Sequence, residues 1–254
     1  MHVHGRRTLV LSSGRDQEST SGGGMGSSAL STVRARMTSA ALRSGRDPAN
    51  VRLLAVSKGQ SNEAVLEIYD AGQRAFGENR PRGLTDRVEG ELPEDIAWHF
   101  VGNVQRRAIK TIAPPIVLLH SFDRMSLLDP WSRQESPPPV LIEVNIAAEP
   151  QKHGFEPDEV LRVADLVVDG GVELRGLMII PPQVPVAEDA RRWFSELREL
   201  ASRLQAQHPE AVELSMGMTD DFEIAVEEGA SIVRVGRAIF EAANNDFSER
   251  FTED

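Results

Sequence analysis

Lys58 closes the apolar run Leu53-Leu54-Ala55-Val56-Ser57. An amine that leaves a buried strand loses solvation, and a neutral amine is a nucleophile toward carbonyl carbon. Most strand-end lysines simply pass into solvent, so Lys58 alone decides nothing. Two later segments add a second kind of chemistry. Leu214-Ser215-Met216-Gly217-Met218-Thr219-Asp220-Asp221 joins a strand to a helix through Ser, Gly and Thr, which leaves backbone N–H groups for an anion. Thr219 or Asp220 acting as a helix N-cap is compatible with the same geometry. Val233-Arg234-Val235-Gly236-Arg237-Ala238 puts Gly236 at a turn that permits close backbone approach. It also buries Arg234 in an apolar strand, where a cation needs an anionic or acceptor partner. A phosphate or a ring nitrogen would serve.

Other polar residues end apolar runs. Glu78 and Asn79 close Phe76-Gly77-Glu78-Asn79, where they either cap the next helix or turn an amide and a carboxylate toward a common mouth. His99, between Trp98 and Phe100, is of a kind more often satisfied within a core than catalytic. Asn103, Ser121, Asp123 and Asn145 occupy comparable positions, and Gln105, Arg106 and Arg107 start the following helix.

The elements that must position these groups follow from periodicity. Apolar runs fall at 53–57, 74–77, 98–102, 116–122, 140–146, 174–180, 212–216 and 232–235. Most are separated by amphipathic stretches such as 63–71, 160–168, 190–204 and 221–228. Strand–helix alternation of this kind predicts parallel βαβ units. Eight strands, with no glycine-rich dinucleotide turn after the first, favour an α/β fold of the (β/α)8 TIM-barrel type over a doubly wound sheet. The 254-residue length suits one such domain, which needs roughly 250 residues. Leu30, Val33, Met37, Ala40 and Ala41 predict an extra N-terminal helix that Gly45 ends. Between Asp123 and Val140, Pro130 and the 137–139 proline run allow at most a short helix. The Ser/Gly-rich residues 1–28 read as a disordered extension, 29–245 as the barrel and 246–254 as a flexible tail.

Composition narrows the function. Lys plus Arg is 28 against 39 Asp plus Glu, a net charge of −11 that disfavours a nucleic-acid partner. The sequence has no cysteine, which excludes disulfides, thiolate nucleophiles and cysteine metal sites, and fits a cytoplasmic location. No apolar run approaches the roughly 20 residues that cross a bilayer, so no membrane association is expected. No metal site is expected either.

In a closed barrel the first and last strands are neighbours, so Lys58 and the cradle around Ser215–Gly217 and Gly236 lie together. An amine beside an anion cradle fits a phosphorylated aldehyde: pyridoxal 5′-phosphate, or the sugar phosphate of a Schiff-base aldolase.

Eight motifs in order carry a resemblance: Ala55-Val56-Ser57-Lys58, Phe76-Gly77-Glu78-Asn79, Trp98-His99-Phe100-Val101-Gly102, His120-Ser121-Phe122-Asp123, Val144-Asn145-Ile146, Gly176-Leu177-Met178, Leu214-Ser215-Met216-Gly217-Met218 and Val233-Arg234-Val235-Gly236. Over about residues 30–241 the chain resembles the pyridoxal phosphate homeostasis proteins. That resemblance implies the alanine racemase N-terminal barrel and pyridoxal 5′-phosphate held as a Schiff base on Lys58. It implies phosphate contacts from Ser215, Met216, Gly217, Gly236 and Arg237, and Arg234 facing the pyridine nitrogen. Asn79 and His99 complete the expected cofactor contacts. An arginine at the nitrogen disfavours its protonation and weakens the electron sink. The implied role is non-catalytic homeostasis of the cofactor by a monomer that contacts pyridoxal-phosphate-dependent apo-enzymes transiently. A weak amino-acid racemase is the alternative, but racemases of this fold use a second base, usually a tyrosine from a further domain. Tyr69 is the sole tyrosine here, and little sequence follows the eighth strand. The chain departs from the family at Asn103-Val104-Gln105-Arg106-Arg107, where a lysine is usual and Lys110 lies nearby, and at Arg237, where threonine is frequent.

Overall fold

A computed structural model describes residues 25–241. Residues 1–24 of the expected extension and the whole expected tail, 246–254, lie outside the described residues. Eight strands form: β1 (Arg52–Val56), β2 (Ala75–Glu78), β3 (Ala97–Phe100), β4 (Ile116–Phe122), β5 (Val140–Glu143), β6 (Leu174–Met178), β7 (Glu213–Ser215) and β8 (Ile232–Val235). Each pairs in parallel with the next. β8 returns to β1 in the register Arg52↔Ile232 to Ala55↔Val235, which closes the barrel. The strands read as near-continuous apolar runs because a barrel strand is covered on both faces.

The alternation within β1 shows the two faces. Leu53 and Ala55 join the large apolar layer between sheet and helices, whereas Leu54 joins Leu118, Leu141, Met178 and Ile232 inside the barrel. The helices are α1 (Met25–Arg43), α2 (Asn62–Asp70), α3 (Pro81–Val88), α4 (Ile109–Ile112), α5 (Leu128–Ser132), α6 (Val160–Asp169), α7 (Arg191–Gln205) and α8 (Phe222–Glu227); a further helix begins at residue 237. In α7, Trp193, Phe194, Leu197, Leu200, Ala201 and Leu204 repeat at three- and four-residue spacing and are all buried. Each large side chain among them contributes about 1.5–3 kcal/mol on burial. The proline-limited segment forms a 3-10 turn (Met125–Leu127) and the short α5, pinned by Trp131 Nε1 donating to the Pro138 carbonyl at 2.9 Å.

The extra helix is present, but it starts at Met25 rather than after residue 28. Docking explains the difference. Gly26 is buried and donates its N–H to Glu67 Oε1 of α2 at 3.0 Å, so tertiary contact outweighs the weak helix propensity of Gly26-Ser27-Ser28. Farther along, α1 lies on α8, with Arg36–Glu223 (2.7 Å) and Arg43–Glu227 (2.8 Å) at the rim of that contact.

Candidate functional site

β1 ends at Val56, and the chain turns at once. Gln60 N–H donates back to the Ser57 carbonyl at 3.0 Å, across Gly59 at φ +74°, so Lys58 rides on a tight loop at the C-terminal rim. That loop is clamped from below. The Ser57 hydroxyl donates to Glu78 Oε1 at 2.8 Å. Arg87 reaches in from α3: its Nε donates to Glu78 Oε1 at 3.2 Å, and one terminal nitrogen donates to the carbonyls of Ser57 (3.1 Å) and Gln60 (2.6 Å). Its other terminal nitrogen bonds Asn62 Oδ1. Ser57, Glu78 and Arg87 are all buried. Glu78 therefore caps no helix; buried at the wall of the Lys58 groove, it neutralises the cation that ties down both sides of Lys58. The lysine itself is exposed, not desolvated, because the turn carries it past the rim. It shares a groove of about 620 Å³ with Gly59, Asn79, Arg80, Arg82 and Gly83.

The loops after β7 and β8 lie at the same end of the barrel. Gly217 has φ +89°, and a Cβ there would stand 2.5 Å from Ala225 Cβ and 2.9 Å from Phe222 Cα. Only glycine lets this loop run against α8. A Cβ on Gly236 would lie 3.0 Å from the Val56 carbonyl oxygen, so the loop after β8 presses on the end of β1, two positions before Lys58. Among the described residues, the N–H groups of Gly217, Gly236 and Arg237 meet no backbone carbonyl. Lys58 and these N–H groups thus both lie at the C-terminal end of the barrel. Met216 is buried and contributes through its backbone, its N–H donating to the Ile232 carbonyl at 3.1 Å. Arg237 points outward and pairs with exposed Asp220.

Arg234 lies inside the barrel. Its guanidinium donates to Ser215 O (2.8 Å), Ser215 Oγ (2.7 Å) and Ile179 O (2.8 Å), all neutral oxygens. Burial pulls its pKa down to about 10, against the more distant pull of Glu143 and Asp221. The Ser215 hydroxyl continues inward to His120 Nδ1 at 2.8 Å, and His120 Nε2 meets His99 Nδ1 at 2.9 Å. Burial holds both imidazoles neutral, His99 with a pKa near 4 and His120 well below its ordinary value. Glu143, on the inner side of β5, is pushed up to about 7 by burial and then by the nearby Asp123 carboxylate. Asp123 itself accepts from Asn103 Nδ2 (3.0 Å) and Arg124 (2.6 Å).

Of the residues singled out from the sequence, Lys58 and Asn79 share the groove, whereas Gly217, Gly236 and Arg237 lie on the loops after β7 and β8 and are not part of its lining. Ser215 and Arg234 sit one layer deeper, with the Ser215 hydroxyl committed to its neighbours. His99 is the exception. It lines a cavity at the N-terminal ends of the strands, the far end from Lys58, and reaches the rim only through His120, Ser215 and Arg234. The reason is depth: β3 continues through Phe100, so His99 lies within the strand and not at its exit. Sequence reasoning missed Arg87, His120 and Glu143. A lone carboxylate inside Val140-Leu141-Ile142-Glu143-Val144, and a histidine inside Leu118-Leu119-His120, were the available signals.

The class so defined is a closed (β/α)8 barrel in which a lysine leaves the first strand where the glycine loop after the eighth presses on it. The family model for the alanine racemase N-terminal domain matches residues 32–244. The chain is 38% identical over 217 residues to the pyridoxal phosphate homeostasis protein of Aquifex aeolicus, covering 83% of this chain and 95% of that one. It is 37% identical over 232 residues to the protein of that name from Escherichia coli, covering 87% and 97%. Among solved structures, PipY of Synechococcus elongatus with pyridoxal phosphate bound superposes with a TM-score of 0.66 at 32% identity, covering 82% of this chain and 99% of that one. The chain belongs to the alanine racemase N-terminal-domain family and, within it, to the pyridoxal phosphate homeostasis proteins.

Proposed function

We propose that this protein binds pyridoxal 5′-phosphate covalently through Lys58 and serves cofactor homeostasis, not turnover. The reading rests on the close approach of the loop after β8 to the Val56 carbonyl at Gly236, which supports the free backbone N–H groups of that loop acting at the end of β1 from which Lys58 departs. The residues fit the group. Lys58 condenses with an aldehyde, with loss of water. The N–H groups of Gly217, Gly236 and Arg237 take phosphate oxygens, and Asn79 closes the groove beside the lysine. Arg234 holds a buried positive charge matched so far only by neutral oxygens, which suits a ring nitrogen that stays unprotonated. When bound, the cofactor supplies an electron sink for carbanions, and a neutral ring nitrogen weakens it. His99 acts on this site only at a distance, by holding His120 and so Ser215 against Arg234.

The structure of the lysine's surroundings favours retention over turnover. Tyr69, the tyrosine a racemase reading would enlist, donates to Asp95 at 2.5 Å and lies beside Arg74 on the outside of α2. It does not reach the groove. We further propose that the loaded monomer meets apo-enzymes transiently at the Lys58 rim, in the cytoplasm.

Titration of the cofactor-free chain with pyridoxal phosphate tests the proposal. A saturable visible absorbance band that is missing in Lys58→Ala supports it. Loading of Lys58→Ala equal to wild type, or alanine racemisation at ordinary enzyme rates, overturns it.

A further inference from the structure

The barrel has a second opening, at its floor. TIM barrels usually fill this level with branched side chains. Here the inward positions at the starts of β2 and β3 are only Ala75 and Ala97, and both line an opening at that level. The missing volume is a cavity of about 410 Å³, walled by Leu54, Leu118 and Ile232 and rimmed by Arg52, Arg175 and Glu213. It shares none of its lining with the groove at Lys58.

His99 is the one polar side chain at its inner end, and the hydrogen-bond chain behind it fixes what it presents. Arg234 can only donate, so Ser215 Oγ accepts from it. The Ser215 hydroxyl is fully buried, and its own hydrogen has His120 Nδ1 as an acceptor at 2.8 Å. The reverse arrangement would leave that hydrogen unpaired, at about 1–3 kcal/mol. It would also turn the Ser215 hydrogen toward the cation. Hence Ser215 donates to His120 Nδ1, His120 Nε2–H donates to His99 Nδ1 at 2.9 Å, and His99 carries its proton on Nε2. Every dipole points away from Arg234 and ends as an N–H donor at the cavity. Among the described residues no protein acceptor takes it. Arg52 pairs with Glu213 at the rim and Arg175 with Glu173, and the Arg52 charge still adds to the field at His99 and His120.

We propose that this floor cavity is a second ligand site, and that it takes a small monocarboxylate with an apolar body. Its carboxylate accepts from His99 Nε2–H beneath the Arg52–Glu213 pair, and its body fills the space left by Ala75 and Ala97. The proposal does not depend on what Lys58 holds, since the two sites are at opposite ends of the barrel.

Sodium benzoate is the probe, with benzyl alcohol as its neutral counterpart. The full chain, labelled at histidine nitrogens and leucine and isoleucine methyls, is titrated by NMR with and without pyridoxal phosphate. Expected are a saturable shift at His99 Nε2, contacts from the benzoate ring to methyls of Leu54, Leu118 and Ile232, and weaker binding of benzyl alcohol. His99→Phe should weaken benzoate about tenfold, the loss of one hydrogen bond to a charged acceptor. Ala97→Phe fills the floor and should abolish binding; should that variant not fold, the methyl contacts in the wild-type chain decide the location. The absence of a saturable shift overturns the proposal. So do ring contacts elsewhere, equal binding of benzyl alcohol, or unchanged affinity in His99→Phe. Failure of cofactor loading leaves the benzoate titration unaffected, so the two readings fail separately.

Discussion

Replacing Arg87 by Met removes the cation beneath Lys58 and leaves its surroundings in place. The guanidinium bonds Glu78, the carbonyls of Ser57 and Gln60, and Asn62, and it is buried together with Glu78. Met fills much of the same volume but donates nothing. Glu78 is then a buried carboxylate whose remaining partner is the Ser57 hydroxyl at 2.8 Å. Breaking such a pair from one side costs about 3–5 kcal/mol, most of it the penalty of the charge left behind. In a domain stable by about 5–15 kcal/mol the variant still folds, with a Tm lower by roughly 6–20 °C. Adding Glu78→Gln removes the stranded charge, so the double variant should recover about 2–3 kcal/mol over Arg87→Met alone. Urea unfolding of the four proteins of this cycle is the assay. The freed 57–60 turn should also weaken pyridoxal phosphate binding at Lys58 in the double variant, where stability is no longer the main loss. An Arg87→Met cost under about 1 kcal/mol, or a double variant as unstable as the sum of the singles, would refute the clamp.

Three further outcomes follow from the geometry. Glu143→Gln changes how stability depends on pH. The carboxyl titrates near 7 in the fold against 4.5 ordinarily, so the unfolded chain releases its proton first, and the wild type loses stability as pH rises from about 4.5 to 7. The stability difference, variant minus wild type, should therefore grow by about 3 kcal/mol over that window in urea unfolding, and a flat difference contradicts the assignment. The depressed His99 works the other way, losing stability as pH falls from 6.5 through about 4, but it is common to both proteins and cancels. Gly102→Ala places a Cβ 2.0 Å from the Asn79 carbonyl oxygen, so the loops after β2 and β3 must part; a loss of at least about 1–3 kcal/mol by thermal unfolding is expected. Ser215→Ala strips one acceptor from Arg234 and one donor from His120, for about 1–3 kcal/mol. Because that hydroxyl faces inward, cofactor affinity should fall less than in Gly236→Val, as binding titrations of both variants would show.

Much of the barrel is legible in the sequence because its strands are covered on both faces. Runs such as Leu53–Val56 and Ile232–Val235 need no alternation to be recognised, and each strand formed in one of the expected stretches. Lys58, Gly217 and Gly236 are equally legible, since a strand exit and a glycine turn are local features. Depth is not local. The stagger of a closed sheet sets which residues share a layer, so His99 and Asn79 look alike in the sequence yet face opposite ends. The clamp on Lys58 was illegible for a related reason: Arg87 reads as one more charge on α3 until the fold turns it inward. The early start of α1 depends on Glu67, a partner no local pattern names.

If Lys58 holds the cofactor, chemical reduction fixes the cofactor to that residue. Borohydride reduction of the loaded protein, followed by proteolysis and peptide mass analysis, tests this directly. One reduced pyridoxyl-phosphate adduct, carried by Lys58, is expected. An adduct carried instead by Lys110 or Lys152, with Lys58 unmodified, would contradict it.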